Sequence, residues 1–337
     1  MDWTSYHKLE DIEGYLGWLN ATRHGLISVF PVATTYESRP VYVVKVSDPL
    51  SPYPKKKIWI EGGIHAREWI SPAVTTFLLH QVATSSEFRP LLQRTEWYFV
   101  PVANPDGYAY SFKGGRARMW RKNRRQTNRF LPNRCRGIDL NRNWSLKWGV
   151  GASSNPCSDT YKGTDPFSEP ETDGLRRAME AAGPLDLFIT FHSYGQSILY
   201  PWGWTTEPPF NVRDLDYLGR KFIEAVTHAS KGQTNYKLGG SADQYGLASG
   251  ASDDWAYGAL RTPMSYTIEL RDNGKYGFLL PENQIVDTVQ ESTVGLYCMA
   301  SFLSDIGVCA RRSNKPSVEP RSSNHRSHSN NVIFEDS

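Results

Sequence analysis

A chain of 337 residues with 39% hydrophobic and 13% aromatic side chains can bury a large core, and α/β enzymes of this length often form one domain. Its net charge of +3 is too small to imply a nucleic-acid partner, and no apolar run reaches the ~18 residues that a membrane span needs. Met1-Asp2-Trp3-Thr4 lacks the basic-then-apolar order of a signal peptide, which leaves a cytosolic protein or one whose leader has been removed.

Leu9, Ile12, Leu16 and Leu19 recur at helical spacing and predict a helix over 5–20. Strands follow over 41–46 and 57–60, around the turn Asp48-Pro49-Leu50-Ser51-Pro52, and then an apolar helix over 72–84. A strand over 96–102 stops at Asn104-Pro105-Asp106-Gly107, a strong turn signal. The run over 185–191 is nearly continuously apolar and reads as a buried strand. An amphipathic helix over 212–230, a strand over 264–270 and a closing helix over 281–303 complete the order. Strands alternating with helices argue for a mainly parallel or mixed sheet covered on both faces. From Ala310 the composition turns to Ser, Asn, Arg, Pro and His. Such a segment cannot bury a core, so 310–337 is expected to be a disordered tail on a domain spanning 1–309.

The chemistry begins at Glu61-Gly62-Gly63-Ile64-His65-Ala66-Arg67-Glu68-Trp69, just past the strand at 57–60. An imidazole and a carboxylate three residues apart can reach one ion, and zinc accepts that ligand mix. On its own the pair reads more simply as a surface His and a helix-start Glu. A third ligand candidate, His192, stands at the end of the strand at 185–191, where α/β sites collect. Two histidines and one Glu leave a fourth position for water, the pattern of catalytic zinc. Lys113 to Arg129 carries eight basic residues and no acid, which reads as a largely solvated loop. In Ile138-Asp139-Leu140-Asn141-Arg142-Asn143-Trp144 the apolar neighbours argue for burial of the polar residues, and a buried Arg wants a carboxylate. Glu269 lies in an apolar strand; facing a cleft it would have the raised pKa of a general base. Arg271 shares its face of the strand, so a purely structural Glu269–Arg271 pair is equally open. Cys135 and Cys157 flank a loop rich in Asn, Gly and Ser. A disulfide closing it would stabilise the fold by about 3 kcal/mol. The pairing of Cys298 and Cys309 is open.

Gly62-Gly63-Ile64-His65-Ala66-Arg67-Glu68-Trp69, Met119-Trp120-Arg121-Lys122, Asp139 to Trp144, Phe191-His192-Ser193-Tyr194 and Ile268 to Pro281 together resemble the zinc metallocarboxypeptidase A/B family, in the same order and over nearly the whole chain. The resemblance implies an α/β fold with a mixed sheet of about eight strands between helices, and one zinc ion per chain. It implies His65, Glu68 and His192 as zinc ligands and Asp139 as the carboxylate orienting the first of them. It implies Glu269 as general base, Arg121 as the group stabilising the oxyanion, and Asn141 and Arg142 as the grip on the substrate's terminal carboxylate. Arg67, Tyr194 and Phe278 match residues lining substrate subsites, and Lys and Arg neighbours of Arg121 are expected at the surface. Tyr245 matches a mobile lid residue, although the segment to Ser252 has one residue more than usual. Asp253 matches the position that distinguishes B-type from A-type enzymes, so the chain is most similar to carboxypeptidase B.

The same resemblance implies a Cys135–Cys157 disulfide, secretion, and an inhibitory prodomain in the precursor that is absent from this sequence. Asn20-Ala21-Thr22 is a glycosylation sequon in keeping with secretion. The expected reaction is hydrolysis of the last peptide bond of peptides and proteins by a monomer, with C-terminal Lys or Arg preferred and neither membrane nor nucleic acid involved. Three rival readings differ from it: A-type or broad specificity if Asp253 lies off the pocket floor, a binding module without activity, and a cytosolic amidase acting on acidic tails. The second would lack a ligand or the base, and the third would want a cationic pocket.

Overall fold

The computed structural model describes residues 1–127, 135–307 and 309; the tail expected from Ala310 lies outside the described residues. In chain order the strands are β1 (Ile27–Thr34), β2 (Pro40–Val46), β3 (Lys56–Glu61), β4 (Thr95–Val100), β5 (Leu187–Ser193), β6 (Ser197–Tyr200), β7 (Lys237–Gly240) and β8 (Met264–Leu270). The helices are α1 (Leu9–Thr22), α2 (Ile70–Thr84), α3 (Arg89–Leu92), α4 (Pro105–Ser111), α5 (Pro170–Ala182), α6 (Val212–Ala229), α7 (Ser241–Tyr245), α8 (Ser252–Gly258) and α9 (Ile285–Leu303).

Among the described residues, eight strands form one sheet in the order β1-β2-β4-β3-β5-β8-β6-β7. Its centre, β4-β3-β5-β8, is parallel, and antiparallel pairs flank it on both sides. The sheet is therefore mixed, as expected. Side chains alternate across it with the strand period of two. Ile58 and Ile60 of β3, with Ile189 and Phe191 of β5, join the core that α2, α6 and α9 close. Trp59 and Phe188 point the other way and pack with Trp144, Leu175 and Met179 of α5, and Trp255 of α8. Continuous apolar strands buried on both faces are what a parallel sheet between helices requires.

The second face matters for function. Glu61, Thr190, His192, Thr267 and Glu269 share the parity of Trp59 and Phe188, so they stand on that face at the carboxyl ends of β3, β5 and β8. Polar residues there cost burial energy unless they are partnered, which is where ligands settle in such sheets.

The expected strands and long helices recur with boundaries shifted by a few residues. The closing helix starts only at Ile285, because Glu282–Gln284 form a separate 3-10 turn. β1 went unforeseen: it is an edge strand with Pro31 beside a register shift, and proline weakens a strand signal.

Candidate active site

β3 ends at Glu61, and the chain turns through Gly62 and Gly63. A side chain at Gly62 would lie 2.3 Å from Thr75 Oγ1 of α2. Gly63 has φ +67 and passes so close to α2 that an added carbon would be 3.0 Å from Pro72. Only glycine tolerates both demands. The turn delivers His65 and Glu68 to the mouth of the sheet just before α2. His192 arrives from the end of β5, opposite Glu269 of β8 in the parallel register.

The three side chains converge. His65 Nδ1 is 2.9 Å from Glu68 Oε1, His192 Nδ1 is 2.9 Å from Glu68 Oε2, and the two Nδ1 atoms are 3.1 Å apart. All are buried, and one donor from each lies within 4.8 Å of the others. Donors held about 2.1 Å from one tetrahedral zinc are roughly 3.4 Å apart, close to this spacing. Two ring nitrogens facing each other beside a carboxylate are also a donor set that a shared cation satisfies. The residues present fit zinc.

Behind them, Asp139 Oδ1 is 3.0 Å from His65 Nε2. A proton on Nε2 given to Asp139 leaves the Nδ1 lone pair aimed at the convergence point, the usual way a metal histidine is oriented. Arg121 donates from Nε and Nη2 to Asp139 Oδ2 at 3.0 and 2.9 Å, and its Nη1 stands 3.9 Å from Glu68 Oε1. Burial alone would raise Asp139, but Arg121 and His65 hold its carboxyl well below the usual carboxylate range. Burial likewise opposes ionisation of Glu68, and the imidazoles of His65 and His192 lower it. Burial pushes His65 down. At His192, burial opposes the charge but Glu68 outweighs it and lifts the imidazole to about 8.

A cavity of about 420 Å³ opens on this cluster. His65, Glu68, His192, Arg121, Asn141, Arg142, Tyr194, Tyr245, Asp253, Glu269 and Phe278 all line it. Glu269 is in place for proton chemistry: burial raises its carboxyl to about 8, and its Oε2 has no partner. Arg142 donates Nη1 to its neighbour's carbonyl, Asn141 O, at 2.7 Å, while its Nε has no partner. A buried guanidinium with donors to spare is a site for an incoming carboxylate. Asp253 is only 3% exposed. Its Oδ2 accepts from Thr267 Oγ1 at 2.9 Å, its Oδ1 accepts from the amide of Asp254 at 2.9 Å, and burial raises its pKa.

The family model described as zinc carboxypeptidase matches residues 12–295. The chain belongs to the zinc carboxypeptidase family. It is 44% identical to carboxypeptidase B of Astacus astacus, over 90% of this chain and 99% of that relative. It is 41% identical to zinc carboxypeptidase A 1 of Anopheles gambiae, over 86% of this chain and 66% of that relative. The solved structure of bovine thrombin-activatable fibrinolysis inhibitor in complex with tick carboxypeptidase inhibitor superposes with a TM-score of 0.81 at 37% identity, covering 90% of this chain and 99% of that one. This zinc carboxypeptidase is therefore a metal-dependent hydrolase of peptides, and zinc is its cofactor.

Two sequence-predicted residues stand apart from the carboxypeptidase cavity. Asp139 is behind it. Arg67 is at its rim, donating to Asp159 Oδ2 at 3.1 Å with its guanidinium 4.3 Å from the ring centre of Phe278. Phe278 in turn meets Tyr194 edge-on at 5.0 Å. Over the described residues 113–127 the basic run is only partly the solvated loop expected: Lys113 and Arg116 are exposed, but several of the other cations are packed. Arg118 lies 3.6 Å over Trp69 and donates to Arg67 O and Phe278 O. Lys122 is buried and donates to Pro156 O at 2.8 Å, and Arg124 lies 3.6 Å over the ring of Tyr110. Aromatic faces and carbonyls pack against these cations, a means of burying charge that a count of basic residues does not reveal.

Tyr245 lines the cavity while remaining half exposed. Tyr245 ends α7 and its hydroxyl is 2.9 Å from Ser197 Oγ, passing so close to Gly195 that any side chain there would collide, at 2.2 Å. In the loop that follows, Leu247 is half exposed and Ala248 N donates to Gly203 O at 2.7 Å. Asp253 lines the cavity wall. Cys135–Cys157 is a disulfide, and so is Cys298–Cys309, which closes the question left open for the second pair.

Sequence reasoning missed Thr267, Ser197 and Ser252. Thr267 was within reach, because it lies two residues before Glu269 on the same strand face.

Proposed function

We propose that this enzyme removes C-terminal Lys and Arg from peptides and proteins. The observation that carries the reading is the single cavity shared by four groups: the His65–Glu68–His192 cluster, the unpaired carboxylate of Glu269, the underused guanidinium of Arg142, and the buried carboxylate of Asp253. Arg142 and Asn141 hold the terminal carboxylate, which limits the substrate to a free chain end. His65, Glu68 and His192 hold the zinc, which when bound supplies a Lewis acid that acidifies water and polarises the scissile carbonyl. Glu269 takes the proton from the attacking water and passes it to the leaving amine. Arg121 donates to the oxygen that becomes negative, with Asp139 fixing its orientation. Tyr245, Tyr194, Phe278 and Arg67 border the path of the preceding residues.

The preference for cations rests on Asp253. A buried carboxylate at a pocket wall is costly until a cation meets it. An Arg side chain can pair with it in a fork and a Lys as a point charge. The likeness to a relative named carboxypeptidase B supports this, while a relative named carboxypeptidase A at comparable identity leaves preference to the pocket itself. We read 1–309 as one catalytic domain, monomeric and secreted; two disulfides favour an oxidising compartment. The test is turnover of matched peptides ending in Arg, Phe and Glu, with and without a chelator. Fast, chelator-sensitive release of Arg supports the reading, and faster release of Phe or Glu refutes it.

A further inference from the structure

Glu61 is fully buried and takes no part in the mechanism above. It ends β3, opposite Thr190 of β5 in the parallel register. Its Oε1 accepts two hydrogen bonds, from Thr190 Oγ1 at 3.2 Å and from Ser252 Oγ at 3.1 Å. Its Oε2 is buried without a partner. A carboxylate placed so deep, with half its capacity unused, is an expensive way to fill space.

Ser252 explains the placement. It is the first residue of α8 and directly precedes Asp253. Its backbone N–H donates to Asn141 Oδ1 at 3.0 Å. The side chain of Asn141 is thereby oriented by Ser252, and Ser252 is oriented by Glu61. From the other side, β8 fixes Asp253 through Ser265 Oγ, which donates to the Asp253 carbonyl at 2.8 Å, and through Thr267. The start of α8 is thus hung between two strands, and Glu61 is its polar joint to the strand that leads into the metal turn.

We infer that Glu61 is a positioning residue for substrate binding: through Ser252 it aligns Asn141 on the terminal carboxylate and Asp253 on the terminal side chain. The inference rests on the roles proposed above for Asn141 and Asp253. What the joint requires of Glu61 is the acceptor Oε1. Burial raises its carboxyl to about 7, so the neutral acid is accessible near neutrality, and Gln is its neutral isostere.

The experiment measures kcat, KM and zinc content for Glu61→Gln, Glu61→Ala, Ser252→Ala and Asn141→Ala with one peptide ending in Arg and one in Phe. Loss of one alignment bond should raise KM about 5–10-fold in Glu61→Ala and Ser252→Ala. With kcat and zinc content near wild type, such a change is lost binding and not lost chemistry. Glu61→Gln, which keeps the acceptor, should stay near wild type. If Glu61→Ala does not fold, Ser252→Ala decides alone. An unchanged KM in Ser252→Ala, beside a raised KM in Asn141→Ala, overturns the inference and spares the proposed function. So does a Glu61→Gln as impaired as Glu61→Ala, or a loss that falls on zinc and kcat in place of KM. An unchanged KM in Asn141→Ala overturns the terminal-carboxylate reading itself, and this inference with it.

Discussion

Arg271 pairs with Glu291 of α9, Nε to Oε1 at 2.8 Å and Nη2 to Oε2 at 2.5 Å, and not with Glu269 two residues before it. Thr234 completes the arrangement by donating to Glu291 Oε2 at 2.9 Å. The consequence falls on Glu269. Its natural cationic neighbour is occupied elsewhere, burial raises it to about 8, and it stands in the cavity with an oxygen free. A carboxylate left in that state is suited to accept a proton.

Glu269→Gln is accordingly expected to bind zinc and substrate but to lose turnover by about 10²–10⁴-fold. Single-turnover kinetics together with metal analysis check this. Normal turnover in the variant would remove Glu269 from the chemistry.

Arg271→Leu should instead act on stability. It leaves Glu291 buried and uncompensated, and breaking a buried pair from one side costs roughly 3 kcal/mol or more. Urea unfolding measures the loss. An unchanged midpoint would mean that the pair holds nothing in place.

The metal site has a pH signature with a definite sign. In the zinc-free protein Glu68 lifts His192 from 6.5 to about 8. Its protonated form contributes stability that is complete below 6.5 and is lost as the pH rises through about 8. Zinc needs the neutral imidazole and competes with that proton. Zinc affinity should therefore climb across this interval, and binding near neutrality should release close to one proton. Calorimetry in buffers of different ionisation enthalpy counts it. A pH-independent affinity, or an unaltered zinc content in His192→Ala, would contradict the assignment.

Much of this was legible in the sequence, and the gaps have physical reasons. The strands β3, β5 and β8 declare themselves as apolar runs, and the ligands sit at their ends, so His65 and His192 could be placed before any coordinates. Glu269 could not be separated from a structural role, because strand parity allows a pair with Arg271 and only tertiary packing brings Glu291 to that guanidinium from α9. The half-buried Arg118 and the buried Lys122 and Arg124 defeated composition for a similar reason: their partners are rings and carbonyls distant in sequence. Ser252 and Glu61 meet across 191 positions, a contact without any local pattern.

The central claim is the grip of Asp253 on a cationic terminal side chain, and specificity constants test it most directly. Matched peptides ending in Arg and Phe are compared in the wild type and in Asp253→Ile. The wild type should favour Arg by about 100-fold or more, since Phe leaves a buried carboxylate unpaired. Asp253→Ile should reverse the order. A wild type that favours Phe, or an Asp253→Ile variant that still favours Arg, would contradict the account.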